Sequence, residues 1–206
     1  VILANCYNHG VQSYCEQIHR NPTLGNAIDY IENPIGNVGG TATSGIDFAV
    51  GYDHKFEHLG RFHEQLESQY LLKYNLDNTS QILHGAGNYD LFARPKIKAN
   101  FSSMWQHPSG LGGGFNLRFI GRFKECDQNN CNGGAPARNV DKWYKADVFA
   151  SYALKTPAGG TTLTVGVNNV MDRNPPLIYI GFQADSDSPT YDYMGRFFYA
   201  RMAQVF

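Results

Sequence analysis

The sequence predicts an all-β protein whose antiparallel strands build part of a transmembrane β-barrel wall. Three observations carry that expectation. Apolar and polar residues alternate with a period of two in segment after segment, the spacing of side chains that share one face of a strand. Connections between these segments alternate between short turns and long polar stretches. The last segment, YDYMGRFFYARMAQVF, alternates up to a terminal aromatic residue, Phe206.

Composition narrows the field without deciding it. The 206 residues carry 17 Lys and Arg against 18 Asp and Glu, so no basic stripe suits nucleic acid. No apolar run approaches the roughly 18 residues that a membrane-spanning helix needs, which leaves strands as the means of any crossing. The amino-terminal VILANCYNHG has no basic region and no cleavage site, so it is not a signal peptide. The chain reads as a mature segment or a fragment.

Residues 1–36 are expected to form an external loop leading into the first strand, with a short helix near Cys6 to Ile18. The four cysteines fall into two close pairs, Cys6 with Cys15 and Cys126 with Cys131. Two local disulfides in an oxidising compartment are the simplest account. A four-cysteine zinc site is the rival, although neither pair has the C-x-x-C spacing.

The strands follow in order. GIDFAVGYD sets Ile46, Phe48, Val50 and Tyr52 against Asp47, Ala49, Gly51 and Asp53. RFHEQLESQYLLKY sets Phe62, Leu66, Tyr70, Leu72 and Tyr74 against Arg61, His63, Gln65, Glu67, Gln69 and Lys73, with Glu64 and Ser68 as faults. KIKANFSSMW is a weaker example, with Ile97, Ala99, Phe101 and Trp105. FNLRFIGRF puts Phe115, Leu117, Phe119 and Phe123 on one face and Asn116, Arg118, Arg122 and Lys124 on the other. WYKADVFASYAL aligns Tyr144, Ala146, Val148, Ala150, Tyr152 and Leu154, and TTLTVGVNN aligns Leu163, Val165 and Val167. Aromatic residues facing one way and cations the other suit a wall between lipid and water. The count is about seven strands.

Short turns are expected at EHLG near Glu57, HPSG near His107 and KTPAGG near Lys155. Long polar loops are expected around Asn75 to Leu91, Cys126 to Asp141 and Asn174 to Tyr193. Bacterial outer-membrane barrels segregate loops in this way, with the short turns periplasmic and the long loops extracellular.

Three passages resemble a known family. NVGGTATSGIDFAVGYDH, TLTVGVNNVMDRNPP and YDYMGRFFYARMAQVF are similar, in this order, to strands of TonB-dependent outer-membrane receptors. CYNHGVQSYCEQIHRNPTLGNAIDYIEN looks like the cysteine-bearing outer loop of many such receptors. The resemblance implies a barrel of about 22 strands around an amino-terminal plug. This chain would supply the carboxyl-terminal part of the barrel and neither the plug nor the earlier strands. It also implies the outer membrane of a Gram-negative bacterium, lipid around the wall, and coupling to TonB–ExbB–ExbD through the missing plug. Phe198, Met202 and Phe206 would be read by the barrel-assembly machinery. The implied function is binding and active import of a scarce solute such as a siderophore, cobalamin, an oligosaccharide or a peptide. The alternative is a structural barrel subunit without transport, completed by another chain. A secreted all-β adhesin or carbohydrate-binding module would instead need its aromatic faces buried against a second sheet.

Individual residues have competing readings. Arg118, Arg122 and Lys124 are lumen-facing candidates that either attract an anionic solute or pair with carboxylates on neighbouring strands. Trp105, Trp143, Tyr144 and Tyr179 are candidates for interfacial girdles or external ligand platforms. Asn168, Asn169, Asp172, Pro175 and Pro176 are expected to shape a strand exit, and Gly45 and Gly195 to permit bends. His54, His58 and His63, with Glu57 and Glu64, lack the H-E-x-x-H spacing and read as a polar turn. No nucleophile motif and no phosphate-cradling loop is present, so neither enzymatic activity nor a cofactor or metal is expected.

Overall fold

The computed structural model describes all residues except 34, 36–38, 78–81, 91, 126–137, 157–158, 182–184 and 206. The chain forms two compact units, Val1–Val38 and Gly39–Phe206.

The first unit holds two short helices and a two-stranded hairpin. Helices α1 (Ile2–Tyr7) and α2 (Gln12–Cys15) replace the single helix expected near Cys6 to Ile18. The break falls at Gly10, whose φ of 64° is left-handed and cannot continue a helix. The Cys6–Cys15 disulfide spans this break with Cα atoms 4.8 Å apart. Strands β1 (Ile18–Asn21) and β2 (Ala27–Ile31) then close an antiparallel hairpin, and His19 stacks on Tyr30 at 4.3 Å. Cys126 and Cys131 lie outside the described residues.

The second unit holds the remaining strands: β3 (Gly40–Phe56), β4 (Gly60–Asp77), β5 (Ile82–His84), β6 (Asn88–Asp90), β7 (Phe92–Ala93), β8 (Ile97–Gln106), β9 (Leu111–Ile120), β10 (Phe123–Glu125), β11 (Arg138–Val140), β12 (Trp143–Thr156), β13 (Gly159–Asn168) and β14 (Phe197–Val205). Seven long ones form an antiparallel meander in the order β14-β13-β12-β9-β8-β4-β3, with β5 added beside β4. This is the expected strand number. The sheet is open: β3 and β14 stand at its two ends and do not pair with each other. Among the described residues no closed barrel is found.

Register converts the alternation of single strands into two continuous faces, because residues directly opposite in a ladder point the same way. Val50, Leu66, Phe101, Leu117 and Ala146 lie in one row across five strands. From Val148, two residues along β12 from Ala146, the face continues through Val167 and Phe198 on the other two. This apolar face is bare: Phe48 is 54%, Val165 59% and Met202 72% exposed. The opposite face carries Asp47, Gln69 and Lys98 in one row and Glu67, Asn100, Arg118 and Lys145 in the next.

One register shift departs from the expected alternation. Between Ser44 and Gly45 the β3–β4 ladder slips, so that Lys73 opposes Ser44 while Leu71 opposes Gly45. Beyond this bulge Tyr74 opposes Thr43 and no longer shares the face of Tyr70. Gly45 is required there, since a Cβ would sit 2.8 Å from the Tyr70 carbonyl oxygen.

The two ends of the sheet differ as the loop lengths foretold. At the short-turn end, rings run in sequence from Tyr52 through His54, Phe56, Phe62 and Trp105 to His107, each 4.1 to 6.4 Å from the next. Trp105 donates its indole N–H to the Leu59 carbonyl at 2.6 Å. His107 donates Nε2–H to the His58 carbonyl at 3.1 Å and accepts the Ser109 amide at Nδ1 at 3.1 Å.

The long-loop end adds a buried core that the polar composition of these connections did not announce. Residues of all three long connections, with the strand ends beside them, build the buried apolar core: Tyr89, Ala93, Ile120, Phe123, Val140, Trp143, Ile178 and Tyr191. A small sheet of order β11-β10-β6-β7 frames it, with β10 parallel to β6. Phe123 therefore does not extend the apolar face of β9. The strand breaks at Gly121, whose N–H donates to the Ile97 carbonyl at 2.8 Å, and Phe123 turns into this core. Trp143 is neither girdle nor platform, because it is buried against Tyr191 and donates to the Asn174 carbonyl at 3.1 Å. Tyr144 and Tyr179 instead carry the guanidiniums of Arg173 and Arg138 at 4.0 and 4.5 Å from their ring centres.

Asn169 fastens the last connection, residues 169–196, to the sheet. It is wholly buried, its amide N–H donates to Asp147 at 2.7 Å, and its side chain bonds Arg173 and Met194 backbone groups at 2.9 to 3.2 Å. Its φ of 51° suits asparagine better than most residues. Asp172 adds a bond from the Arg196 amide at 2.9 Å, close against Gly195. Replacing Asn169 by Ala leaves two part-buried carbonyls and an amide without their partner, and is expected to cost about 1–3 kcal/mol. Urea titration of the Asn169→Ala protein checks this, with an unshifted midpoint counting against it.

Candidate functional site

The polar face of the sheet holds a cavity of about 530 Å³. Its charged and carboxamide lining comes from four adjacent strands: Asp47 on β3, Glu67 and Gln69 on β4, Lys98 and Asn100 on β8, and Arg118 on β9. Thr190 reaches it from the last connection. Carboxylates thus stand on one side and cations on the other, within two successive rows of the ladder. Gln65 donates to Glu67 Oε1 at 2.8 Å and so orients one carboxylate. Ala49 and Ile120 share the lining, so the cavity combines apolar surface with charges of both signs.

The connection bearing Thr190 is itself tethered to the polar face. Lys145, buried on β12 beside Arg118, forms an ion pair with Asp192 and approaches Asp147 at 3.8 Å. Thr190 and Tyr191 donate their amides to the Asp187 carbonyl, each at 3.0 Å. Three polar atoms here and nearby are buried without a hydrogen-bond partner among the described residues: Asp187 Oδ2, Tyr191 Oη and Asn116 Oδ1. Burial, with the Asp187 carboxylate adding to it, raises the Tyr191 phenol above its ordinary value and keeps it neutral.

Asp192 is held below the usual carboxylate range by the Lys145 side-chain bond and then by the Met194 amide, against an opposing effect of burial. A depressed carboxylate stabilises the fold above its ordinary pKa and loses that contribution as pH falls through the depressed value. The tether is therefore expected to hold from neutral pH down to about pH 4 and to loosen below it. Hydrogen exchange across residues 190–196 should show this transition in the native protein, and Asp192→Asn should flatten it.

The three predicted lumen-facing cations are separated in the structure. Arg118 lines the polar cavity. Arg122, just past the end of β9, and Lys124, on β10, line a second cleft beyond the apolar face. Phe198 and Met202 stand exposed on β14 in the apolar face, and Phe206 lies outside the described residues. Near the short turn, His63 pairs with Asp53 at 3.3 Å and His54 with the Tyr52 hydroxyl at 3.1 Å. No grouping of three or more metal-ligating side chains is found among the described residues. In the sequence Asp47, Glu67 and Gln69 read only as polar halves of separate strands, and Lys98 and Asn100 are not singled out. Ladder register brings them together.

No family model, curated protein or solved structure matches this chain.

Proposed function

We propose that this chain is the carboxyl-terminal part of the wall of a TonB-dependent outer-membrane transporter, which binds a scarce solute from outside and imports it. The observation that carries the reading is the exposed, predominantly apolar face of a seven-stranded meander, interrupted by Glu64, Ser68 and Ser103, and backed by a polar face with a cavity lined by both signs of charge. On β3 the face from Ile46 to Phe56, apolar but for His54, spans ten residue steps. At ~3.4 Å per residue and a tilt of ~40° this is about 26 Å of height, close to the ~25 Å lipid-facing band of outer-membrane barrels. The ring series from Tyr52 to His107 takes the position of the inner aromatic girdle. Open edges at β3 and β14 cannot face lipid, so further strands must continue the wall on both sides.

Those open edges also support a second reading, a structural barrel subunit whose missing strands come from another chain. Two measurements on cells producing the native protein separate the two. An intact mass several times 23.0 kDa, with solute uptake lost when TonB is deleted, supports the transporter. A mass near 23.0 kDa in a complex, with uptake indifferent to TonB, supports the scaffold. The chain recovered as a detergent-free monomer would sink both.

A further inference from the structure

At the long-loop end of the apolar face lies a cleft of about 880 Å³ with two chemically distinct halves. Its lower half is apolar and aromatic: Tyr70, Ile97 and Phe119 belong to the apolar face, in adjoining positions of β4, β8 and β9. Its upper half is cationic. Lys96, Arg122, Lys124 and Lys142 all line it and all are exposed, against the single carboxylate of Asp141. Register places Lys124 between Asn88 and Asn139 on the outer side of the small sheet, so two carboxamides flank the central ammonium. Phe123 and Val140, on the other side of the same strands, hold that sheet to the buried core.

From this juxtaposition we infer that the cleft binds a phosphorylated lipid of the surrounding leaflet. Its phosphate-bearing headgroup sits among Lys96, Arg122, Lys124 and Lys142, and an acyl chain lies along Tyr70, Ile97 and Phe119. A soluble anion would use the cations and leave the apolar floor unused. A zwitterionic lipid would use the floor and leave an excess of positive charge. Only an amphiphile with a net negative headgroup satisfies both halves. Four cations spread around one cleft also favour a headgroup with more than one phosphate. The inference rests on the membrane-wall reading above, and the test keeps the two apart.

The native protein, purified in detergent, is titrated with a bisphosphorylated acylated glycolipid, a phosphatidylcholine of matching chain length, and inorganic phosphate, with binding followed by native mass spectrometry. The expected result is at least a tenfold preference for the bisphosphorylated glycolipid over phosphatidylcholine, without competition from equimolar phosphate. Each Lys→Gln or Arg→Gln change at 96, 122, 124 or 142 should weaken it roughly fivefold. Equal binding of the two lipids overturns the inference, as does equal competition by phosphate or unchanged affinity in the Arg122→Gln, Lys124→Gln protein. In parallel, brominated acyl chains should quench Trp105 while sparing the buried Trp143. Quenched Trp105 without a headgroup preference removes the inference alone; unquenched Trp105 removes the membrane reading and the inference with it.

Discussion

Val165→Arg is expected to destabilise the membrane-inserted protein by about 2–4 kcal/mol, the effect of a cation near the middle of a lipid-facing strand. Val165 lies within β13, opposite Ala150 and Ala200, and is more than half exposed on the apolar face. If that face met water, the same substitution at so exposed a site would fall within about 0.5 kcal/mol of neutral. The two solvents therefore predict different numbers for one variant. Thr162→Arg on the polar side of the same strand is the control, with a small change expected in either case. Urea unfolding from lipid vesicles measures both, and a Val165→Arg protein as stable as wild type would rule out lipid at this face.

Trp143→Ala should be the most damaging single change in the long-loop cap, at about 3–5 kcal/mol. The indole is buried, packs edge-on to Tyr191 with ring centres 5.5 Å apart, and gives its N–H to the Asn174 carbonyl. Truncation removes the contact that fixes the last connection to the end of β12. Protease should then cut within residues 169–196 at concentrations that leave wild type intact, while the sheet keeps its strand signal. Wild-type resistance in the variant would mean that the core is held without Trp143.

Much of the large sheet was legible in the sequence because its strands alternate without compromise. Ile46, Phe48, Val50 and Tyr52 or Leu163, Val165 and Val167 need no partner to declare a face. The places where reading failed share one physical cause, a change of register or direction that leaves the two-residue period intact. Phe119, Gly121 and Phe123 keep the same parity, so the break at Gly121 is silent in the pattern. The β3–β4 bulge moves Tyr74 to the other face without any unusual residue other than Gly45. The cap was hidden for a different reason. Its core residues are scattered singly through Gly-, Asn- and Pro-rich connections, and none of Tyr89, Val140, Ile178 or Tyr191 sits in a periodic run. The polar cavity was half visible: the polar residues were plain, but their assembly needed cross-strand pairing that a single strand does not encode.

The pooling of that core has a consequence for variation and for engineering. Tyr89 comes from the first long connection, Phe123 and Val140 from the second, and Ile178 and Tyr191 from the third, so no connection owns enough apolar surface to fold by itself. Grafting one of them from another scaffold would strand the other two around a hole. Diversification of this end of the molecule must therefore proceed by coordinated replacement, with all three segments exchanged together or the packing positions left fixed while only the residues between them change.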